Sequence, residues 1–331
     1  MKPTLTALCR QFIENRDTIK SSFIWESAYL YPVCAAIFSD KRQTVDESQL
    51  VRCREILYDR TGLFSAFRGM PKLVILSMMA ADPAPEEKLQ KALGVYDSLK
   101  THFFTSTYLP VASMVIADLV GPEQVETIAA RTRRIYDRMK DEHPFLTSSE
   151  DSVFAALLAL SQLSDEQVVQ ETERCYRLLK PTFFSGNAVQ SLSHVLALGQ
   201  GTPEEKCQKT LALYNGLEQE GYPYGTSYEL ATLGVLAMLP ASHDEVVRDV
   251  LDAAEFLSEQ KGYGFFGAGK KQRLMHAGML VASDYLDSAV GQTMHAAAVG
   301  GTISLIVAQQ AAMCAAVAAS CAAASASANN S

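Results

Sequence analysis

The sequence lacks a basic excess, and it lacks any pair of cysteines at metal-binding spacing. Lysine and arginine number 29 against 37 aspartates and glutamates, for a net charge of −8. This balance gives no basic face of the kind that nucleic-acid-binding proteins carry. The seven cysteines include no CxxC pair, and no HExxH motif is present. We therefore expect no nucleic-acid partner, no metal and no cofactor.

The first twenty residues lack the apolar run of a secretory signal peptide. Charged side chains interrupt them at Lys2, Arg10, Glu14, Arg16 and Asp17. Cysteines that are scattered without pairing are typical of reduced, buried thiols. Together these features predict a cytoplasmic protein.

The sequence also lacks a complete nucleotide-binding or catalytic motif. Residues 262–267 match the letters of GxGxxG, and residues 264–271 resemble a P-loop except that Lys271 replaces Ser or Thr. Both motifs require a preceding strand, whereas the segment before Gly262 has a helical pattern. Lys270, Lys271 and Arg273 at a helix start predict at most an anion site, with a solvated basic turn as the alternative.

What the sequence does contain is an aromatic residue that recurs about every forty positions. The recurring residues are Tyr58, Tyr96, Tyr136, Tyr176, Tyr214 and Phe256. An aromatic cluster follows each of them: Phe64 and Phe67, Phe103 and Phe104, Phe145, Phe183 and Phe184, Tyr222 and Tyr224, Phe265 and Phe266. A fixed period of this length indicates a repeat architecture. The aromatic clusters are interpreted first as packing between repeats, with ligand binding as the alternative.

One unit, residues 182–221, has the sequence pattern of a helical hairpin. An aromatic turn leads into an apolar helix that stops at Gly199. Thr202, Pro203 and Glu205 then form the start of a second helix, as N-cap, first helical residue and capping-box partner. Gly221 ends that helix.

The same pattern predicts an all-α protein of six to seven stacked hairpins. The expected first helices are 23–38, 66–81, 106–120, 148–162, 187–199, 226–239 and 270–286, and the expected second helices are 46–60, 85–100, 122–140, 165–180, 203–219 and 243–260. The first helices are apolar on all sides and should be buried, whereas the second helices are amphipathic. Either an α–α superhelix or an α/α toroid satisfies this pattern.

The C-terminal segment differs from the repeats. No Asp, Glu, Lys or Arg occurs from Ser288 onward. We expect a repeat domain over 1–287, an Ala-rich helix packed on it over 288–322, and a disordered tail over 323–331. Docking of residues 294–324 on a membrane or a partner is the alternative, although Gln309 and Gln310 interrupt the apolar run.

The repeated motif resembles a known family. Tyr-x-x-Leu-Lys followed by Phe-Phe-Ser/Thr, together with Gly300-Gly301-Thr302-Ile303-Ser304, is similar to an uncharacterised bacterial helical family, domain of unknown function 4003. The resemblance covers nearly the whole chain. It implies the helical fold and brings no activity with it.

The turns that lead into the first helices should lie on one edge, where repeat proteins usually bind ligands. Polar residues on this edge are the candidate sites: Asp151 and Glu229 as catalytic carboxylates, and Arg68, Asn187, Tyr228, Lys270, Lys271 and Arg273 as ligand or anion contacts. Three functions remain open. The first is a scaffold that binds a protein, peptide or similar ligand, which is preferred because no catalytic motif is complete. The second is a toroidal glycosidase- or lyase-like enzyme with carboxylates at a central cavity. The third is a peripheral membrane factor.

Overall fold

The computed structural model describes residues 1–103, 108–264, 267–292 and 312–326. These residues contain helices and turns and no strand, which confirms the all-α prediction. Helix α1 is Pro3–Ser22. The first helices of the hairpins are α2 (Leu30–Asp40), α4 (Lys72–Ala80), α6 (Leu109–Leu119), α8 (Asp151–Leu158), α10 (Gly186–Leu198), α12 (Leu230–Ala237) and α14 (Lys270–Gln292). The second helices are α3 (Glu47–Arg60), α5 (Pro85–Lys100), α7 (Val125–Glu142), α9 (Asp165–Leu179), α11 (Pro203–Gln219) and α13 (His243–Ser258). A further helix, α15, covers 312–326.

Several first helices begin later than the pattern predicts. Helix α4 begins at Lys72 rather than at residue 66, because Pro71 disfavours a helical conformation in the residue before it. A separate 3-10 turn, Ala66–Arg68, precedes that proline. Helix α2 begins at Leu30 rather than at residue 23, since the hydroxyl of Tyr31 donates to the carbonyl oxygens of Phe23 and Glu26 and closes a turn there.

The burial of the helices follows the predicted two classes. All eight residues of α8 are buried, and so are Leu73–Met79 of α4. In α9 only one stripe is buried, formed by Val168, Thr172, Cys175 and Leu179. A stripe at spacings of three and four residues is the buried face of an amphipathic helix.

Capping boxes begin two of the second helices, and the one at Thr202 confirms the predicted start. In α11 the amide of Glu205 donates to the hydroxyl of Thr202 over 3.2 Å, and the amide of Thr202 donates to the Glu205 carboxylate over 3.0 Å. Ser242 and Glu245 make the same pair of bonds at the start of α13. Each box satisfies two amides that have no partner inside the helix.

The chain divides into two compact units. Unit 1 contains Met1–Ile13 and Glu166–Ala315, and unit 2 contains Glu14–Asp165 and Ala316–Ser331. Within unit 2, α2, α4, α6 and α8 pack in sequence order, as do α3, α5 and α7. Within unit 1, α10, α12 and α14 pack in order, and α11 packs on α13. Each unit therefore places first helices beside first helices and second helices beside second helices.

The beginning of α1 packs on the last hairpin within unit 1. Lys2 Nζ lies 2.7 Å from a carboxylate oxygen of Asp249 on α13. The hydroxyl of Thr4 donates to Asp284 on α14 over 3.1 Å, and the Phe12 ring lies 6.2 Å from that of His276. The hairpin pattern of the sequence does not include α1, because α1 has no aromatic turn before it.

The Ala-rich C-terminal segment is described only in part. Residues 293–311 and 327–331 lie outside the described residues, so most of the predicted 294–324 segment and the end of the predicted tail do too. Residues 312–318 of α15 are buried, and Cys321 lies near Cys34 of α2. None of the described helices is both long and apolar enough to cross a membrane.

Candidate functional site

Three of the recurring tyrosines, Tyr96, Tyr136 and Tyr214, pack against an aromatic residue of a turn. Phe67 and Tyr96 meet edge to face with ring centroids 5.2 Å apart, and Phe183 and Tyr214 meet in the same way at 5.1 Å. In each pair the two rings belong to the same hairpin, because the turn residue precedes its first helix and the tyrosine lies on its second helix. Such pairs prefer this T-shaped geometry. The aromatic pairs therefore close individual hairpins, and the first interpretation of the clusters, packing between repeats, is wrong for these pairs.

Other aromatic residues of the same turns are fully exposed. We call the segments that lead into first helices the entry turns: 23–29, 61–71, 143–150, 180–185 and 220–229. Trp25 is 94% exposed, Phe64 97%, Phe145 99% and Phe184 99%. Aromatic side chains, including Trp and Phe, are enriched at the cores of protein interfaces. The exposed residues, unlike their buried neighbours, are available to a ligand.

An ion pair links two entry turns of unit 2. Glu26 in the turn before α2 forms an ion pair of 2.8 Å with Lys72, the first residue of α4. Ile24 and Trp25 are exposed on one of these turns, and Leu63 and Phe64 on the other. Because α2 and α4 also pack together, these four apolar side chains lie on adjacent turns at the same helix ends.

Arg68, a predicted ligand contact, is bonded to the end of α3, the second helix that precedes its turn. Its guanidinium donates to the carbonyl oxygens of Tyr58 and Thr61, and to the Thr61 hydroxyl over 2.9 Å. It also stacks over the Tyr58 ring at 4.5 Å. These carbonyls belong to the end of α3, where a cation is favoured by the helix dipole.

Asp151, the first residue of α8, is a buried carboxyl group. It is 7% exposed, and it accepts the amide hydrogen of Ser148 over 2.8 Å. Burial raises the pKa of Asp151 from 3.8 to about 7, against the lowering effect of the Ser148 hydrogen bond. The charge of Glu150 raises this pKa further and that of Lys140 lowers it. A carboxyl group that titrates near neutral pH is suited to acid–base chemistry.

Glu229 in unit 1 is also buried, at 4% exposure. Its carboxylate accepts the amide hydrogen of Ser227 over 3.1 Å. The side chain folds back over Gly225, where a Cβ would lie 2.2 Å from Glu229 Cδ. Burial and then the Glu229 charge raise the pKa of Tyr224 well above its ordinary value. Like Asp151, Glu229 lies fifteen residues after a recurring tyrosine and bonds to its own entry turn.

The structure brings Tyr228 to the start of α14 within unit 1. The amide nitrogen of the Gln272 side chain donates to the Tyr228 hydroxyl over 2.9 Å. Gln272 also accepts from the amide of Gly269 over 3.3 Å. Lys270 and Lys271 are exposed in the same helical turn, and Arg273 is partly exposed. The predicted contacts Tyr228, Lys270, Lys271 and Arg273 are thus neighbours, linked by a glutamine that the sequence pattern did not indicate.

Asn187 stands apart from that cluster in sequence and is exposed in the first turn of α10. The Ser185 hydroxyl caps this helix by accepting from the amide of Ala188 over 3.3 Å. The amide side chain of Asn187 is therefore not needed as the cap. Across the described ranges, no group of three or more His, Cys, Asp or Glu side chains is placed to hold a metal ion.

The sequence pattern did not distinguish the exposed aromatic residues from the buried ones. Phe183 and Phe184 are adjacent and chemically identical, and only their direction relative to the core distinguishes them. Trp25 precedes the first recurring tyrosine and lies outside the pattern altogether. The sequence does contain one signal, since some turns carry two aromatic residues. Only one of the two can pack on the tyrosine, so the other is expected to be exposed.

Comparison with known proteins extends over most of the chain. The uncharacterized protein YeaA of Bacillus subtilis (strain 168) is 23% identical over 319 residues, which cover 93% of this chain and 93% of that protein. No solved structure matches. Residues 15–311 match the family model described as a protein of unknown function, DUF4003. These matches support no biochemical activity. They confirm the resemblance carried by the repeated tyrosine motif, and the chain belongs to the DUF4003 family.

Proposed function

We propose that this protein is a helical-hairpin scaffold that binds a protein or peptide through its entry turns. The observation that carries the proposal is the near-complete exposure of Trp25, Phe64, Phe145 and Phe184. Aromatic side chains are enriched among the residues that dominate binding energy at protein interfaces. Removing one such ring from water contributes about 1.5–3 kcal/mol, so a few rings together support a stable complex.

The buried residues beside the exposed rings support this function. Phe183 is 1% exposed and holds its turn against Tyr214, while Lys180 Nζ donates to the carbonyl oxygen of Phe184 over 3.1 Å. Such a turn presents its outer ring in a fixed place, which reduces the entropy lost on binding. The cations at the start of α14 favour acidic groups in the ligand, and Tyr228 is a polar contact beside them. Asn187 at the start of α10 and Arg68 in the turn before α4 are further polar contacts of the proposal.

Trp25 provides a direct test, because it is the only tryptophan in the chain. Peptides would be selected from a random display library on the full-length protein and titrated while the fluorescence of Trp25 is recorded. Matched variants are Phe64→Ser on the adjacent turn and Phe67→Leu in the core beneath it. We expect peptides with apolar anchors that shift the Trp25 emission to shorter wavelength.

The variants decide whether the entry turns are the binding site. Loss of affinity by about tenfold or more in Phe64→Ser, with affinity retained in a folded Phe67→Leu, supports the proposal, since one buried ring is worth at least tenfold in affinity. Selected peptides that bind Phe64→Ser, Phe145→Ser and Phe184→Ser as tightly as the wild type would refute it. Failure to select any peptide would count against it too.

The second candidate function is an α/α-toroid enzyme that acts as a glycosidase or lyase. The raised pKa of Asp151 favours this candidate, because a carboxyl group protonated near neutral pH can serve as a general acid. Glu229 is the second carboxylate of this proposal. A screen of glycoside and uronide substrates tests it: activity lost in both Asp151→Asn and Glu229→Gln supports it, and activity unchanged in both excludes the assigned residues.

The choice between an α–α superhelix and an α/α toroid stays a prediction. Small-angle X-ray scattering on the full chain distinguishes the two, since a compact chain of this length has a radius of gyration of about 20 Å. A clearly larger value favours the superhelix and the scaffold function. Cytoplasmic location and membrane contact through 294–324 also stay predictions, which cell fractionation of the full chain and of a variant lacking 294–331 would test.

A further inference from the structure

Two cysteines of unit 1 lie side by side on neighbouring second helices. Cys175 is on α9 and Cys207 on α11, and both are buried. The Cys207 thiol donates to the carbonyl oxygen of Cys175 over 3.8 Å. The Cys207 thiol therefore already lies against Cys175, and a disulfide requires the two sulfurs to approach to about 2.05 Å.

Charged pairs hold the two helices together around these thiols. Lys206 Nζ lies 2.5 Å from Glu171, and Arg174 Nε lies 2.6 Å from Glu204. Lys206 is itself 3% exposed and also donates to the carbonyl oxygen of Gly199 over 3.1 Å. The buried ammonium group therefore has a fixed place, in the residue immediately before Cys207.

The two thiols differ in acidity. The hydrogen bond from Cys175 lowers the pKa of Cys207 against the opposing effect of burial, and the charge of Lys206 lowers it further. The same hydrogen bond, together with burial, raises the pKa of Cys175. Burial also raises the pKa of every other cysteine, to about 11 or 12: Cys9, Cys34, Cys53, Cys314 and Cys321. Cys207 is thus the cysteine whose thiolate is favoured.

We propose that Cys175 and Cys207 are a peroxide-oxidised dithiol that closes into a disulfide between α9 and α11. The Cys207 thiolate attacks one oxygen of hydrogen peroxide, the O–O bond breaks, and the departing hydroxide takes a proton to leave as water. The Cys175 sulfur then attacks the Cys207 sulfenic acid, the S–O bond breaks, and a second water leaves. Two thiols are oxidised by two electrons while one peroxide is reduced to two waters.

The expected selectivity follows from the thiolate populations. A thiol whose pKa is lowered holds more thiolate at a given pH than a thiol whose pKa is raised by burial. The lower nucleophilicity of a more acidic thiolate removes roughly half of this advantage on a logarithmic scale. Cys207 is therefore expected to react with peroxide faster than the other five buried cysteines.

The first test is made on the wild-type full chain and needs no substitution. The reduced protein is treated with one equivalent of hydrogen peroxide, free thiols are alkylated under denaturing conditions, and the chain is cleaved with trypsin. Cleavage after Arg174 and Arg177, and after Lys206 and Lys209, releases the peptides Cys-Tyr-Arg and Cys-Gln-Lys. The expected product is these two tripeptides joined by a disulfide, two hydrogens lighter than their sum, while the other five cysteines are alkylated.

Two conservative variants test the order of the steps. In folded Cys175→Ser, a sulfenic-acid reagent such as dimedone is expected to label Cys207, because no resolving thiol is present. In folded Cys207→Ser, Cys175 is expected to stay unlabelled at the same peroxide dose. Absence of the joined peptide in the wild type, or oxidation spread evenly over the seven cysteines, would overturn the proposal. Labelling of Cys175 in Cys207→Ser as fast as Cys207 in Cys175→Ser would overturn the assigned order.

Discussion

Replacement of Asp151 by asparagine should stabilise the protein at neutral and alkaline pH and have progressively less benefit in acid. The carboxyl group is 7% exposed, and burial raises its pKa from 3.8 to about 7. An amide oxygen at the same place can still accept the Ser148 amide hydrogen, which now lies 2.8 Å from the carboxylate. The substitution therefore removes the buried charge while it keeps the turn.

The direction of the pH dependence follows from proton binding in the two states. The unfolded chain releases the Asp151 proton near pH 4, whereas the folded chain holds it until about pH 7. Between these values the folded state binds more protons, so the wild-type free energy of unfolding falls as pH rises and then levels off. At about 1.4 kcal/mol per pKa unit, the full cost of ionising Asp151 in the folded protein is about 4 kcal/mol.

Urea unfolding of the wild type and Asp151→Asn at pH 5, 6, 7 and 8 measures this cost. The stability difference in favour of the variant should grow by about 3 kcal/mol from pH 5 to pH 8, because most of the titration falls in this interval. Glu142→Gln is the matched control, since it removes one negative charge from an exposed position at the end of α7. Parallel stability curves for the wild type and Asp151→Asn would refute the assignment of a neutral buried carboxyl group, and with it the basis for Asp151 as a general acid.

Three further predictions test the packing and capping of the hairpins. Phe183→Ala should cost about 3–5 kcal/mol of unfolding free energy because it empties a buried site, whereas the adjacent Phe184→Ala should cost less than about 0.5 kcal/mol; equal costs in urea unfolding would contradict the assignment of one buried and one exposed ring. Thr202→Ala should cost about 1 kcal/mol through loss of the α11 cap, and an unchanged urea midpoint would show that the capping box adds nothing. Gly225→Ala should cost about 1–3 kcal/mol, and clearly less in a Glu229→Ala background, since the new Cβ collides with that side chain; an equal cost in both backgrounds would contradict this collision.

The helical pairs were predictable because their signals are local. The start of α11 is indicated by three residues within four positions, Thr202, Pro203 and Glu205. The periodicity of apolar residues distinguishes the buried helices from the amphipathic ones. The starts of α2 and α4 were predicted too early, because apolar residues in an entry turn resemble the first turn of an apolar helix. Pro71 was the available signal for the later start of α4.

The candidate site was less predictable, because its features depend on contacts between distant positions. The Tyr228–Gln272 hydrogen bond joins residues 44 positions apart, and no local motif indicates it. The contact between Cys175 and Cys207 arises because α9 and α11 are neighbouring second helices. A sequence pattern gives the period of such helices but not the rotation of each helix about its axis, and that rotation decides which side chains meet.

The position fifteen residues after the recurring tyrosine gives the best reason to examine the carboxylates further. In two other hairpins this position holds the buried apolar residues Leu73 and Val111, whereas Asp151 and Glu229 are buried there as acids. The hydrogen bond that each makes to its entry turn does not require an acid, because a neutral acceptor such as asparagine or serine could accept the same amide hydrogen. A buried acid that ionises destabilises the fold, so packing alone does not explain its presence at this position. If Asp151→Asn gains the stability expected from its raised pKa, the acid is retained at a cost, as is typical of groups selected for binding or catalysis.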